Sequence, residues 1–229
     1  MARRWLLVAG VAMVLAAVAG VWWLAHPTKP SKGWPALRSG ERYGIDVSAH
    51  QGDIDWPKVA ADDVSFAYVK ATEGEDFLDR TFANNWAGVG RAGLPRGAYH
   101  FFSLCSAGEP QAKFFLDTAP PDPTALPPAL DLELAGNCAA RPERAVIQRE
   151  IAAFLDKVEA AWSRKVVLYV GDDFDVMYPV RQPLARPLWY LRAEARPDVD
   201  WLIWQLHGNA HVAGITGEVD LDVLRDQGR

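Results

Sequence analysis

Pro127-Pro128-Ala129-Leu130-Asp131-Leu132-Glu133-Leu134 sets two acids in an otherwise apolar run. A strand can begin just after the two prolines, where a missing N–H costs least. Side chains two apart on a strand share a face, so Asp131 and Glu133 project together with their carboxyls some ~5–8 Å apart. Acids among leucines are expensive unless chemistry needs them. Each raises the other's pKa and burial adds to the effect, which can keep one carboxyl protonated near neutral pH while the other stays ionised. Cleavage of a glycosidic bond needs such a pair. An edge strand with its acids in water is the plain alternative.

Similar short apolar runs lie on either side. Tyr43–Ser48, Phe66–Ala71 and Arg96–Ser103 precede this stretch. Val166–Val170, Leu188–Leu191, Leu202–Leu206 and Gly217–Leu221 follow it. Helical patterns fall between them. Asp55-Trp56-Pro57 is a helix start, with an acid as cap and proline in the first turn. Asp79–Ala92 ends at Gly93, and Glu109–Leu116 is a shorter helix. Arg141–Ser163 carries Ile147, Ile151, Phe154, Leu155, Val158 and Trp162 at helical spacing. Strands alternating with helices predict an α/β fold with parallel strands, either doubly wound or closed as a barrel. The connections thin out in the second half, so a barrel would be irregular there. Chemistry in such folds collects at the C-terminal strand ends, where Asp46, Glu133 and Asp220 fall. No glycine-rich phosphate loop follows the first strand.

The chain has 229 residues and ten Trp, enough for one sizeable core with aromatics to spare for a cleft. Five of the 24 Lys and Arg, and none of the 29 acids, lie in residues 1–40. The remaining body is strongly acidic, which argues against holding nucleic acid by its phosphates.

Trp5–Ala25 is an uncharged run of 21 residues behind Arg3 and Arg4, long enough to cross a bilayer. Residues 1–25 are expected to be a transmembrane anchor, in contact with membrane through residues 5–25. A signal segment cleaved near Ala17-Val18-Ala19 is the rival. Residues 26–40 read as a linker and 41–229 as the functional domain. Either reading puts that domain outside the cytoplasm, in the periplasm or at the cell surface, as a single-pass or a secreted protein.

Cys105 and Cys138 each fall in a loop just past a strand that carries candidate site residues. If those strands are neighbours, a disulfide is geometrically plausible and export permits it. Two unrelated free thiols remain the alternative. Zinc is not expected with so few soft ligands.

Several stretches together resemble glycoside hydrolase family 25, the lysozymes. These are Gly44-Ile45-Asp46-Val47-Ser48 with Gln51-Gly52 and Ile54-Asp55-Trp56, and Phe66–Gly74. Ala92-Gly93-Leu94 with Gly97–Phe102, and Leu130-Asp131-Leu132-Glu133, come next. Trp204-Gln205, Gly214-Ile215, Gly217 and Val219-Asp220-Leu221 complete the set. The likeness covers about residues 42–226. It implies an irregular parallel (β/α) barrel whose last strands lack helices. It also implies hydrolysis of the β-1,4 bond between N-acetylmuramic acid and N-acetylglucosamine in peptidoglycan. Glu133 would be the general acid, with Asp131, Asp46 and Asp220 around the sugar. The family is described with net retention, and attack by a carboxylate or by the substrate's own N-acetyl group both stay open. No metal or organic cofactor is implied, and the expected state is a monomer. A wall-binding protein that has lost turnover, or a hydrolase of another N-acetylated polysaccharide such as chitin, are the competing readings.

Trp189-Tyr190-Leu191-Arg192-Ala193 and Leu206-His207 depart from the family pattern, which puts substrate contacts there in question. Tyr99, Tyr169, Trp189 and Trp204 could stack on sugar rings, although core packing explains any one of them equally well. His100 reads as a hydrogen-bonded core residue, and His50, His207 and His211 as surface or loop residues. Lys70 and Glu73 belong to the rim or form a solvated pair. Asp172, Asp173 and Asp175 read as helix caps.

Overall fold

The computed structural model of the chain describes residues 32–191 and 195–226. Leu37–Arg229 is one compact unit. The expected membrane-spanning helix over residues 5–25 lies outside the described residues. Among the described residues no helix is long and apolar enough to cross a membrane.

The elements follow the sequence pattern closely. Strands β1 (Glu41–Val47) and β2 (Ala67–Glu73) flank a 3-10 turn at Ala49–Gln51 and helix α1 (Trp56–Ala60). A two-residue strand β3 (Phe77–Leu78) and helix α2 (Phe82–Arg91) precede β4 (Arg96–Phe101). Helix α3 (Gly108–Thr118), β5 (Ala129–Leu132), α4 (Arg144–Trp162) and β6 (Val167–Val170) come next. Helices α5 (Asp172–Met177) and α6 (Arg181–Leu184) lead to β7 (Leu188–Leu191), β8 (Ile203–Ala210) and β9 (Val219–Arg225). The six apolar residues of α4 picked out by their spacing are all buried. Each contributes about 1.5–3 kcal/mol through burial.

Eight of the strands close into a barrel, in the order β1-β9-β8-β7-β6-β5-β4-β2 with β1 paired back to β2. β3 lies outside the ring, antiparallel to β2. The expectation of a parallel (β/α) barrel is corrected here, because the barrel is mixed. β9 runs antiparallel to both β8 and β1. The cause is the length of the connection. Residues 211–218 alone join β8 to β9, whereas a parallel crossover takes a dozen residues or more.

Inside the barrel, Phe66, Tyr68, Val167, Tyr169, Trp189, Ile203 and Leu224 form the packed floor. Gly44 and Gly97 make room for two of these rings. A Cβ on Gly44 would meet the Phe66 ring at 2.2 Å, and one on Gly97 the Tyr68 ring at 2.2 Å. Small residues facing large ones let a narrow barrel fill without voids.

Residues of opposite parity face the helices. His100 is fully buried there, stacked on Phe154 at 4.9 Å between centroids. Its Nε2 donates to Gln111 Oε1 at 3.1 Å. Its Nδ1 accepts from the Thr72 hydroxyl at 2.8 Å. The Gln111 amide nitrogen already donates to two carbonyls, which fixes this tautomer. Burial pushes His100 down to about 3, so it stays a neutral core residue.

Candidate active site

The strands other than β3 and β9 run parallel, so their C-terminal ends meet at one rim. Inward-facing side chains there line a cleft of about 350 Å³, a volume suited to a small ligand. Asp46 comes from β1 and Lys70 from β2. Tyr99 and Phe101 come from β4, Asp131 from β5, and Glu133 from just beyond it. Tyr169, Trp189, Gln205 and Asp220 come from β6 to β9. The four acids picked out from the sequence are thus brought to a single hollow.

Asp131 on β5 and Glu133 just past its end both project into the cleft, as the two-residue period requires. Asp131 Oδ1 is buried and meets no N–H or O–H donor among the described residues. The Glu133 carboxyl lies two residues on and acts on it directly. Two acids held this close away from water favour keeping a proton between them. Burial pushes Asp131 well above the usual carboxylate range, and the Glu133 and Asp46 charges add to this against Lys70. Burial raises Glu133 as well, aided by Asp173 and Asp220 and opposed by the bond to Asp131 and by Lys70. The two titrate as a unit. Glu133 stands one side-chain step nearer the rim.

Asp46 faces this pair across the hollow. Gln205 Nε2 donates to its Oδ2 at 2.9 Å, and the Tyr169 hydroxyl donates to Gln205 Oε1 at 3.0 Å. Burial and the Asp220 charge raise Asp46 well above its ordinary value. Asp220 is half-buried in the wall. Gly208 leaves it space, since a Cβ there would lie 2.7 Å from Asp220 Oδ1.

The far wall is the turn after β1. Ser48 Oγ accepts from His50 N at 3.3 Å, and Ser48 N donates to Gln51 Oε1 at 2.9 Å. Asp79 Oδ2 pins the turn by accepting from Ala49 N at 2.8 Å. His50 and Gln51 therefore stand at the cleft edge, closer to the chemistry than their letters suggested. Lys70, weighed as rim or solvated, lines the cleft. Its Nζ is 2.7 Å from Glu73 Oε2 and 4.9 Å from the Phe101 centroid.

Of the four aromatics singled out, three reach the site. Tyr99 lies on the wall, and Tyr169 and Trp189 lie in the floor. Trp204 does not. It is in register with Tyr190, on the face opposite Gln205, and packs on Trp201 at 6.1 Å with the Arg196 guanidinium 5.1 Å from its ring. Sequence reasoning missed Gln205 as a site residue and missed Asp222 altogether. The same two-residue period that paired 131 with 133 also pairs 220 with 222. Arg192 and Ala193 lie outside the described residues, as does the His207 side chain.

Cys105 and Cys138 form a disulfide with Cα atoms 6.2 Å apart, tying the loop after β4 to the loop after β5. Asn137 works beside it. Its Oδ1 accepts from Leu104 N and Cys138 N, both at 2.9 Å. Its Nδ2 donates to Phe102 O at 2.7 Å and to Glu133 O at 3.0 Å. The backbone of Glu133 is held from its own loop and from its neighbour. Among the described residues no group of three or more His, Cys, Asp or Glu is placed to hold a metal ion.

The family described as "Glycosyl hydrolases family 25" matches residues 45–215. "Uncharacterized protein YegX" of Escherichia coli O157:H7 is 36% identical over 191 residues, covering 80% of this chain and 69% of that protein. "Lysozyme M1" of Streptomyces globisporus is 33% identical over 202 residues, covering 81% and 68%. The solved structure of a family 25 glycosyl hydrolase from Bacillus anthracis superposes with a TM-score of 0.77 at 30% identity, over 85% of this chain and 93% of that one.

Proposed function

The chain belongs to glycosyl hydrolase family 25, and on that premise we propose that it cleaves the β-1,4 bond between N-acetylmuramic acid and N-acetylglucosamine in peptidoglycan. It is a glycoside hydrolase of the lysozyme type. One observation carries the assignment of roles: Asp46, Asp131, Glu133 and Asp220, from three strands far apart in sequence, line the same cleft. Tyr99, Tyr169 and Trp189 supply aromatic surface to the cleft, which suits the apolar faces of sugar rings.

Glu133 is the general acid. It gives its proton to the oxygen bridging the two sugars, and the bond from that oxygen to the anomeric carbon breaks. Asp131 shares the pair's proton from below, which keeps Glu133 from standing as a bare carboxylate beside three other acids. The positive charge that grows on the sugar is met by the carboxyl groups around it, Asp46 and Asp220. Water then supplies the hydroxyl to the anomeric carbon, and its proton returns to Glu133. The disulfide and the acid-lined cleft suit an enzyme working outside the cytoplasm, where thiols oxidise and wall is met.

The test is release of reducing ends from purified peptidoglycan by the full chain, with mass analysis of the muropeptides. Glu133→Gln should lower turnover about 10²–10⁴-fold, the usual worth of a general acid, while still binding wall. If the parent chain and the variant bind wall equally and neither cleaves it, the protein is a wall-binding module.

A further inference from the structure

Asp222 lies under the cleft rather than in its wall, and it is fully buried. It faces Gly44 of β1 and Gln205 of β8 across the sheet, one inward step below Asp220 on its own strand. Its Oδ1 accepts from Trp189 Nε1 at 2.9 Å. Its Oδ2 is buried and meets no N–H or O–H donor among the described residues. The acid beside it is Asp46, since Asp46 pairs with Asp220 and Gly44 with Asp222 on the neighbouring strand, and the two carboxyls act on each other directly.

Among the described residues, the N–H donors on this pair are Gln205 Nε2 on Asp46 and Trp189 Nε1 on Asp222. Gln205 takes Oδ2 of Asp46 and Trp189 takes Oδ1 of Asp222. Neither reaches Asp222 Oδ2, and two carboxylate oxygens brought together attract only with a proton between them. Two charges buried this close would also repel strongly, so the pair sheds one by keeping that proton. Asp222 is the deeper member. The charges acting on it are Asp46 from β1 and Asp220 from β9, both negative. Its own charge acts on Tyr68 of β2, whose hydroxyl donates to Pro127 O.

We propose that Asp222 is a positioning residue: it stays protonated at working pH, donates that proton as a hydrogen bond to Asp46, and so holds Asp46 ionised and aimed into the cleft. Gln205 and Asp222 then grip Asp46 from two sides, and Trp189 grips Asp222. A substrate-facing carboxylate at the top of the barrel is oriented by a neutral acid that no substrate touches. This rests on Asp46 being one of the acids around the reacting sugar.

Asparagine copies a protonated aspartic acid: its NH₂ would donate to Asp46 and its oxygen would accept from Trp189 Nε1. We therefore expect Asp222→Ala to lower kcat by up to about 100-fold through misplacement of Asp46, with KM little changed. Asp222→Asn should recover most of that loss and keep both limbs of the parent pH profile. If D222N is as poor as D222A while both melt like the parent, or if D222N shifts the acid limb, the proposal is overturned. Infrared difference spectroscopy reads the proton without turnover. The parent at neutral pH should show a protonated-carboxyl C=O band that D222N lacks, and absence of that difference also overturns the proposal. A parent chain that shows the band yet cleaves no wall refutes the hydrolase reading and still supports the proton on Asp222.

Discussion

Gln205 Nε2 lies 2.9 Å from Asp46 Oδ2, although the two residues stand 159 positions apart and on strands that do not pair. β9 runs between them, and the Gln205 side chain crosses it to make the bond. The same amide takes the Tyr169 hydroxyl on its oxygen. One uncharged side chain thus locks β1, β6 and β8 together at the level where the acids begin.

Gln205→Leu should therefore act on both stability and rate. It removes the donor to Asp46 and the acceptor for Tyr169, and each unmade buried bond costs about 1–3 kcal/mol. Urea denaturation should show the loss, and kcat should fall about 10–100-fold as Asp46 turns away from its position. Unaltered kcat in a correctly folded Leu variant would show that Asp46 needs no such anchor.

The pH dependence of turnover should move in opposite directions in two variants. Glu133 acts protonated, so activity is lost as pH rises through its folded pKa. Lys70 holds that pKa down, and the Asp173 charge holds it up. Lys70→Met should move the alkaline limb of kcat/KM to higher pH, and Asp173→Asn should move it lower. Limbs that shift the same way in both would mean that a group other than Glu133 sets the profile.

Asp131→Asn should trade activity for stability, and the gain should grow with pH. Burial and the neighbouring acids raise Asp131 in the folded state. Its native form therefore binds a proton more tightly than the unfolded chain does. That contribution is complete below about pH 4 and is lost as pH rises through the folded value. Asparagine is neutral throughout. The variant should match the parent near pH 4 and exceed it at alkaline pH by roughly 0.5–2 kcal/mol. Carboxylates such as Asp122, lowered by hydrogen bonds from Thr124 and Arg96, act in the opposite sense. The quantity to plot is thus the difference between variant and parent in denaturation series. A difference that does not vary with pH would place Asp131 in solvent.

Replacing both Cys105 and Cys138 by Ser should cost about 3–4 kcal/mol by the chain-entropy relation for a separation of 33 residues. The loops it joins carry Asn137 and the backbone of Glu133, so turnover should fall as well. Denaturation midpoints with and without reductant, alongside kcat, check both effects. A midpoint insensitive to reductant would show that the Asn137 bonds suffice.

Much of this arrangement was legible because burial leaves a period in the sequence. Leu130, Leu132 and Leu134 announced a strand, and the acids between them announced a shared face. The spacing of Ile147, Ile151 and Phe154 announced α4. What the letters hid was direction and side. Alternating strands and helices suggested that every strand runs the same way, but the short link from Ala210 to Val219 forces a hairpin. Trp204 and Gln205 are adjacent, so only one of them can face the hollow, and the more conspicuous residue was the wrong choice. Trp189 takes the inner position because it is in register with inward-facing Ile203. Asp222 escaped notice because its role depends on Asp46 and Trp189, which lie far away in sequence and meet it only when the barrel closes.

The antiparallel β9 also sets an order of events during synthesis. It is the last barrel strand to leave the ribosome, yet it pairs with the first, joining Ile45 to Leu221, and it brings both Asp220 and Asp222. Until it docks, the ring has a gap and Asp46 lacks its lower neighbour. A growing chain is thus a harmless precursor whose catalytic competence switches on at completion. Chains stopped at residue 218 should accordingly degrade no wall, however well their earlier strands have folded.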